Sequence, residues 1–219
     1  MKVKTIAIIG NGPEWYPDFS SLRNTVDFWI GADRGALSVI KHRLQLEYAV
    51  GDFDSTTDEE KATIISYANY FNEYPSDKDE TDLEIALNKA FELEPDIIYL
   101  IGVTGGRMDH ELINIQLLYE IARKGIKGII LDKTNYIELT FAGEYSIEYD
   151  DTYPNISFVP FSHEVKGLTL SNFYYPLMDA TVTWGSTLCI SNKLIGNSGT
   201  FSYNEGILLL IKSRDTIPR

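Results

Sequence analysis

Over about the first 135 residues, apolar runs of strand length alternate with stretches of helical spacing, a pattern that points to a parallel sheet joined by crossover helices. The runs are "TIAIIG", "DFWIGA", "EYAVGD", "DIIYLIG" and "IKGIILD". Between them, "TDLEIALNKAFEL" is the clearest helix, with Leu83, Ala86, Leu87, Ala90 and Phe91 at i, i+3, i+4, i+7 and i+8. Thr81 and Glu84 have the spacing of a capping box, which puts Asp82 in the first turn. "MDHELINIQLLYEIARKG" reads as a second helix, with Asp109 as its N-cap and Gly125 as its C-cap. Ser55 or Thr57 caps a third, "DEEKATIISYANYF".

After about residue 136 helical periodicity disappears, and short alternating runs broken by turn residues take over: "EYSIEYD", "NISFVPF", "ATVTWG", "TLCISN" and "GILLLIKS". The expected architecture is an α/β domain over residues 1–135 and an all-β sandwich or partly closed barrel over 136–219.

Charge narrows the function classes. A net charge of −13 is the wrong electrostatic footprint for nucleic acid or an anionic membrane, which need clustered Lys and Arg. A phosphorylated ligand therefore needs a metal to mediate it. The single cysteine, Cys189, excludes an intramolecular disulfide and fits a reducing compartment, where it reads as a small core residue. No long apolar segment is present, and the opening apolar run is too short for a signal peptide, so the expected location is cytoplasmic.

The acidic residues then fall into a pattern. Asp33 in "GADRG", Asp52 and Asp54 in "GDFDS", and Asp109 in "GVTGGRMDH" follow the carboxyl ends of expected strands, while Asp77, Asp79 and Asp82 in "SDKDETD" lead into a helix. In open parallel sheets the ligand crevice lies outside those ends. In an extended "GDFDS", Asp52 and Asp54 point to one side, a costly arrangement unless a cation sits between them. Hard oxygen ligands of this kind suit Mg²⁺ bridging carboxylates to nucleotide phosphates. "IIGNG" and "GVTGG" allow main-chain N–H groups to approach an anion, with Arg107 a fixed cation beside the second. Neither a GK[ST] P-loop nor a complete dinucleotide fingerprint is present. His42, His110 and His163 lack metal-ligand spacing.

"GADRGA", "GDFDS", "DKDETD" and "GGRMDH", followed by "GLTL" and "SN", stand in the order found in thiamine pyrophosphokinases, and the chain resembles that family over nearly its whole length. The resemblance implies an N-terminal Rossmann-like domain, a C-terminal β-sandwich, a homodimer with active sites at its interface, and Mg²⁺-dependent transfer of the β,γ-pyrophosphoryl group of ATP to thiamine, with AMP as the other product. It places Asp52, Asp54 and Asp82 at the metal, with Asp33 and Asp79 in the same acidic cluster, Asp79 at the metal and Asp33 at the nucleotide. It puts Asp109 close to ATP and thiamine, Thr104, Gly105, Gly106 and Arg107 around the phosphates, and Asn11 and Gly12 beside the nucleotide. Ser191, Asn192 and Tyr175 fall at thiamine. Arg34 departs from the glycine common in relatives, and the segment around Trp184 and Lys193 matches less closely.

The chemistry agrees with the residues. The hydroxyl of thiamine attacks the β-phosphorus, which asks mainly for positioning and charge stabilisation. Asp54 or Asp109 accepts the hydroxyl proton. An acidic cleft attracts the thiamine cation, and Tyr175 or Trp184 offers a ring to stack on. Two other classes use the same carboxylates: a Mg²⁺-dependent phosphohydrolase and a non-catalytic nucleotide-binding regulator.

Overall fold

The computed structural model describes residues 2–216 and divides into two compact units, Met1–Lys133 and Thr134–Arg219. The fold is mixed α/β with a large sheet.

In the first unit the strands are β1 (Thr5–Ile9), β2 (Phe28–Ala32), β3 (Leu46–Gly51), β4 (Tyr70–Glu73), β5 (Ile97–Ile101) and β6 (Lys127–Leu131). They run in the order β6-β5-β1-β2-β3-β4, and every neighbouring pair is parallel. β1 is buried along its whole length, as expected of a central strand covered on both faces. The chain winds outward from β1 to β4, then returns to the other side of β1 as β5. The strand order therefore reverses between β1 and β5, and in such sheets the crevice opens at that reversal.

The helices are α1 (Phe19–Leu22), α2 (Gly35–Lys41), α3 (Asp58–Tyr67), α4 (Asp82–Glu92) and α5 (Met108–Arg123). The expected face of α4 is borne out, with Leu83, Ala86, Leu87 and Ala90 buried and Phe91 half-buried. Thr81 Oγ1 accepts from the Glu84 N–H at 3.2 Å. A reciprocal capping box forms at Thr57 and Glu60 on α3, so Thr57, not Ser55, is that cap.

Two local expectations change. The segment read as one helix through "ANYF" stops at Tyr67, and Tyr70–Glu73 forms an edge strand on β3. β4 is only half-covered, so it lacks the apolar run by which the other strands announce themselves. The N-cap of α5 is Arg107, because the carboxylate of Asp109 folds onto the Arg107 guanidinium and the Asp109 residue joins the first turn. Gly125, at φ +75°, follows the cap residue Lys124 as a left-handed terminator.

The second unit is antiparallel and built on one long strand. Its elements are β7 (Asn135–Glu148), β8 (Asn155–Pro160), β9 (Glu164–Ser171), β10 (Leu177–Thr183) and β11 (Ser198–Ser213). β11 pairs with β7 on one side; on the other it pairs with β9 through its first part and with β8 through its last. The register shifts between Tyr203 and Ile207, where Gly206 adopts φ +104° and an added Cβ would lie 2.5 Å from Glu164 O. Phe158, Phe173 and Phe201 centre the core, and Cys189 is packed into it, 2% exposed. "TLCISN" is not a strand. It is a turn-rich segment with a single bridge, from Asn192 to Ile156, because Cys189 is buried as one residue and not as part of an alternating row. Among the described residues no helix is long and apolar enough to cross a membrane.

Candidate active site

Asp33, Asp52 and Asp82 line one crevice of about 490 Å³ at the carboxyl ends of the parallel strands, while Asp54, Asp77, Asp79 and Asp109 are exposed and lie outside its lining. Gly10, Asn11 and Gly12 after β1 form one wall and Gly102 to Thr104 after β5 the other, joined by the Gly12 N–H to Gly102 O bond of 2.8 Å. An added Cβ on Gly12 would lie 2.4 Å from Gly102 O, so this approach requires glycine.

Asp33, just beyond β2, is 6% exposed and held at φ 50° by its N–H bond to Val50 O. Its Oδ2 accepts from Ser55 Oγ at 2.6 Å and from Asn11 Nδ2 at 3.2 Å, while its Oδ1 is buried without a hydrogen-bond partner. A buried orphaned carboxylate oxygen is expensive unless a cation meets it.

Asp52 and Asp54 converge, though not by the extended route expected from their spacing. Phe53 adopts φ 57°, and the chain turns there so that the Asp54 N–H reaches Asp52 Oδ1 at 3.2 Å. A left-handed phenylalanine costs on the order of 1–2 kcal/mol. Its ring is 3% exposed and stacks on Phe71 at 4.7 Å, which fixes the turn. One oxygen each from Asp33, Asp52 and Asp54 then lies within 4.8 Å of the others. Such a set, together with the buried Asp33 oxygen that has no hydrogen-bond partner, fits a hard divalent cation.

The sequence reading missed Lys78. Its Nζ lies 2.8 Å from Asp52 Oδ2 and 3.0 Å from Asp82 Oδ1, the second contact lacking the angles of a hydrogen bond. The only signal was its i,i+4 spacing to Asp82 within "SDKDETD". Burial works against the Asp52 carboxylate, but the Lys78 ammonium and the Asp54 N–H hold its pKa below the ordinary value. The charge of Asp52 pushes the Asp54 pKa up. Burial raises that of Asp82, against the pull of Lys78. Asp79, placed with the metal ligands by the resemblance, is exposed and does not line the crevice.

Thr104, Gly106 and Arg107 line the crevice, and Gly105 lies outside the lining at φ 84°. Their loop is pinned from behind by two residues that sequence reading also passed over: Asp132 Oδ2 accepts from Thr104 Oγ1 at 2.8 Å, and Asn114 Nδ2 donates to Val103 O at 2.9 Å. Asp109 is exposed, with both oxygens on the Arg107 guanidinium, whose charge lowers the Asp109 pKa.

In the second unit Tyr175 and Ser191 line a separate cavity of about 520 Å³ with Tyr174, Asn155 and Lys193. Asn192 does not line it. Its amide is 2% exposed and spent on the backbone of Tyr175, accepting from the N–H at 3.0 Å and donating to the C=O at 2.8 Å. Ser191, at φ 58°, donates its N–H to Ser157 Oγ at 2.9 Å.

Carboxylates and glycine loops at the strand reversal of a parallel sheet make the kind of crevice in which α/β proteins hold phosphorylated ligands through a divalent cation. The family profile of the thiamin pyrophosphokinase catalytic domain matches residues 19–130, and that of the thiamin pyrophosphokinase vitamin B1 binding domain matches residues 144–208. The chain therefore belongs to the thiamine pyrophosphokinase family. It is 45% identical to the thiamine pyrophosphokinase of Bacillus subtilis over 214 residues, covering 97% of this chain and 100% of that one. The crystal structure of the B. subtilis protein superposes with a TM-score of 0.91 over the same shares. That of Geobacillus thermodenitrificans, 39% identical, gives 0.87 over 97% of this chain and 98% of its own. Yeast thiamin pyrophosphokinase, at 15% identity and 0.79, shares the fold, over 98% of this chain and 87% of its own.

Proposed function

We propose that this chain transfers the β,γ-pyrophosphoryl group of ATP to the hydroxyl of thiamine, releasing AMP and thiamine diphosphate. The observation that carries the reading is the convergence of Asp33, Asp52 and Asp54, with the orphaned Asp33 oxygen, in a chain of this family. The hydroxyl oxygen forms a bond to the β-phosphorus as the bond from that phosphorus to the α-phosphate oxygen breaks, and AMP leaves with the electron pair. Asp33, Asp52 and Asp54, with Asp82 nearby, would hold Mg²⁺, which would supply charge stabilisation when bound. The main-chain N–H groups of Asn11 and the Thr104–Arg107 loop position the phosphates, with Gly12 tying the two loops together through its bond to Gly102 O. Asp109 has both oxygens committed to Arg107, which leaves Asp54 to take the hydroxyl proton. Tyr175 and Ser191 face thiamine, with Asn192 acting through the Tyr175 backbone.

The finer architecture that goes with this reading is a Rossmann-like domain, 1–135, for ATP and metal, and a β-sandwich domain, 136–219, for thiamine and dimerisation, in a cytoplasmic enzyme without nucleic-acid or membrane partners. Tyr174, Met178, Trp184 and Ile195 are 68%, 88%, 67% and 73% exposed, an apolar content on one unit that supports a homodimer. Sedimentation equilibrium is expected to give twice the mass of the chain, and a monomer at micromolar concentration would remove the dimer from this account.

Given thiamine, ATP and Mg²⁺, the purified protein is expected to form AMP and thiamine diphosphate in equal amounts, and neither in EDTA. Release of ADP or inorganic phosphate in place of AMP would favour the phosphohydrolase reading. No product at all would favour the regulator.

A further inference from the structure

Lys78 occupies a position that the proposed chemistry does not by itself explain. Its side chain is 12% exposed, that of Asp52 is 11% exposed, and the two form an ion pair of 2.8 Å inside the crevice. A lysine so far from solvent is rare unless paired. The other cation lining the crevice among the described residues, Arg107, is exposed and bound to Asp109. Both oxygens of Asp52 are engaged, Oδ1 by the Asp54 N–H and Oδ2 by Lys78. A divalent cation that takes Asp52 must therefore displace the ammonium or sit against it at close range, and at that range the repulsion between the two is large.

We propose that Lys78 is the internal counter-ion of this site, competing with the metal for Asp52 and Asp82 in nucleotide-free protein and turning to the nucleotide phosphates when the metal takes the carboxylates. Lysine suits such an exchange because a compact charge with three donors on a flexible four-carbon stem swings between partners, where the rigid fork of arginine does not. Lys78 also lines the crevice together with Asn11, Gly12 and Thr104, which puts the phosphate position of the proposed reaction in the same volume as its ammonium. The consequence is thermodynamic coupling. Metal alone binds weakly because it must evict Lys78, and metal with nucleotide binds strongly because the evicted charge gains a phosphate partner. This inference rests on the metal and nucleotide reading given under Proposed function.

The test titrates Mn²⁺ into wild type, Lys78→Gln and Lys78→Arg by calorimetry, with and without α,β-methylene-ATP. Without nucleotide, Lys78→Gln is expected to bind Mn²⁺ at least tenfold more tightly than wild type, and the gain in Mn²⁺ affinity brought by the analogue is expected to shrink at least tenfold. Lys78→Arg is expected to keep the weak nucleotide-free affinity, as the charge remains. In metal-free buffer Lys78→Gln is expected to melt below wild type and to recover under saturating Mn²⁺. Should Lys78→Gln not fold, Lys78→Met replaces it, and in wild-type protein the Lys78 Cε signal is expected to shift on adding Mg²⁺ and again on adding the analogue. Unchanged or weaker Mn²⁺ binding to the folded, uncharged variant, or a Cε signal that ignores Mg²⁺, overturns the role of Lys78 alone. Absence of Mn²⁺ binding to wild type under both conditions overturns the metal reading, and this inference with it.

Discussion

Asp54→Asn is expected to lower turnover by at least about 10²-fold with the fold intact, and Asp52→Asn to do the same. The charge lost in each case belongs to a group that would hold the metal beside the transferring phosphates, an interaction worth several kcal/mol in such sites, and about 1.4 kcal/mol corresponds to a factor of ten. The two variants are expected to part company in stability. Asp54 stands against Asp52 with no cation of its own, so its neutralisation is expected to raise the melting temperature of the metal-free protein. Asp52 is the 2.8 Å partner of Lys78, so its neutralisation leaves that largely buried ammonium with Asp82 alone and is expected to lower it. Steady-state assays of AMP release, with circular dichroism melts in EDTA, read both effects. Near-normal turnover in the two variants would remove these carboxylates from the chemistry.

Gly35→Ala is expected to cost about 3 kcal/mol, at the upper end of what overpacking does. Gly35 opens α2 where the helix crosses β1, and a Cβ there would lie 2.1 Å from Ile9 O and 2.8 Å from Ile9 C. Both are backbone atoms of the central strand, so no side chain can turn aside and the helix must lift from the sheet. In a protein whose total stability is on the order of 5–15 kcal/mol this is a large fraction. Asp33 lies two residues before Gly35, so the lift is also expected to weaken metal binding. Gly196→Ala serves as the control: nothing lies within 4 Å of its added Cβ, and its cost is expected within about 0.5 kcal/mol. Urea unfolding measures both, and a Gly35→Ala midpoint close to wild type would mean that β1 and α2 are not packed as tightly as described.

Much of this arrangement was open to reading from residues alone. Five of the six parallel strands announce themselves as apolar runs, because a strand covered on both faces needs apolar residues at successive positions. The burial of Leu83, Ala86, Leu87 and Ala90 follows from helical spacing in the same way, and strands that end in aspartate point to one edge of a parallel sheet. What sequence determined here is whatever a local pattern encodes: element type, buried face, the edge where the carboxylates gather.

Tertiary structure decided the rest. β4 exists because β3 offers it an edge, and "TLCISN" stays irregular because its one deeply buried apolar residue fills a core position without neighbours to alternate with. Asp52 and Asp54 meet through the left-handed Phe53, whose conformation is held by Phe71, a contact between residues far apart in sequence. Asn192, in a motif that suggests a ligand contact, spends its amide on Tyr175, seventeen residues away. Lys78 meets Asp52 across twenty-six residues and becomes a counter-ion only there. In each case the deciding energy comes from burial or charge supplied by a distant segment, and a periodicity of two or 3.6 residues carries no record of which distant segment that is.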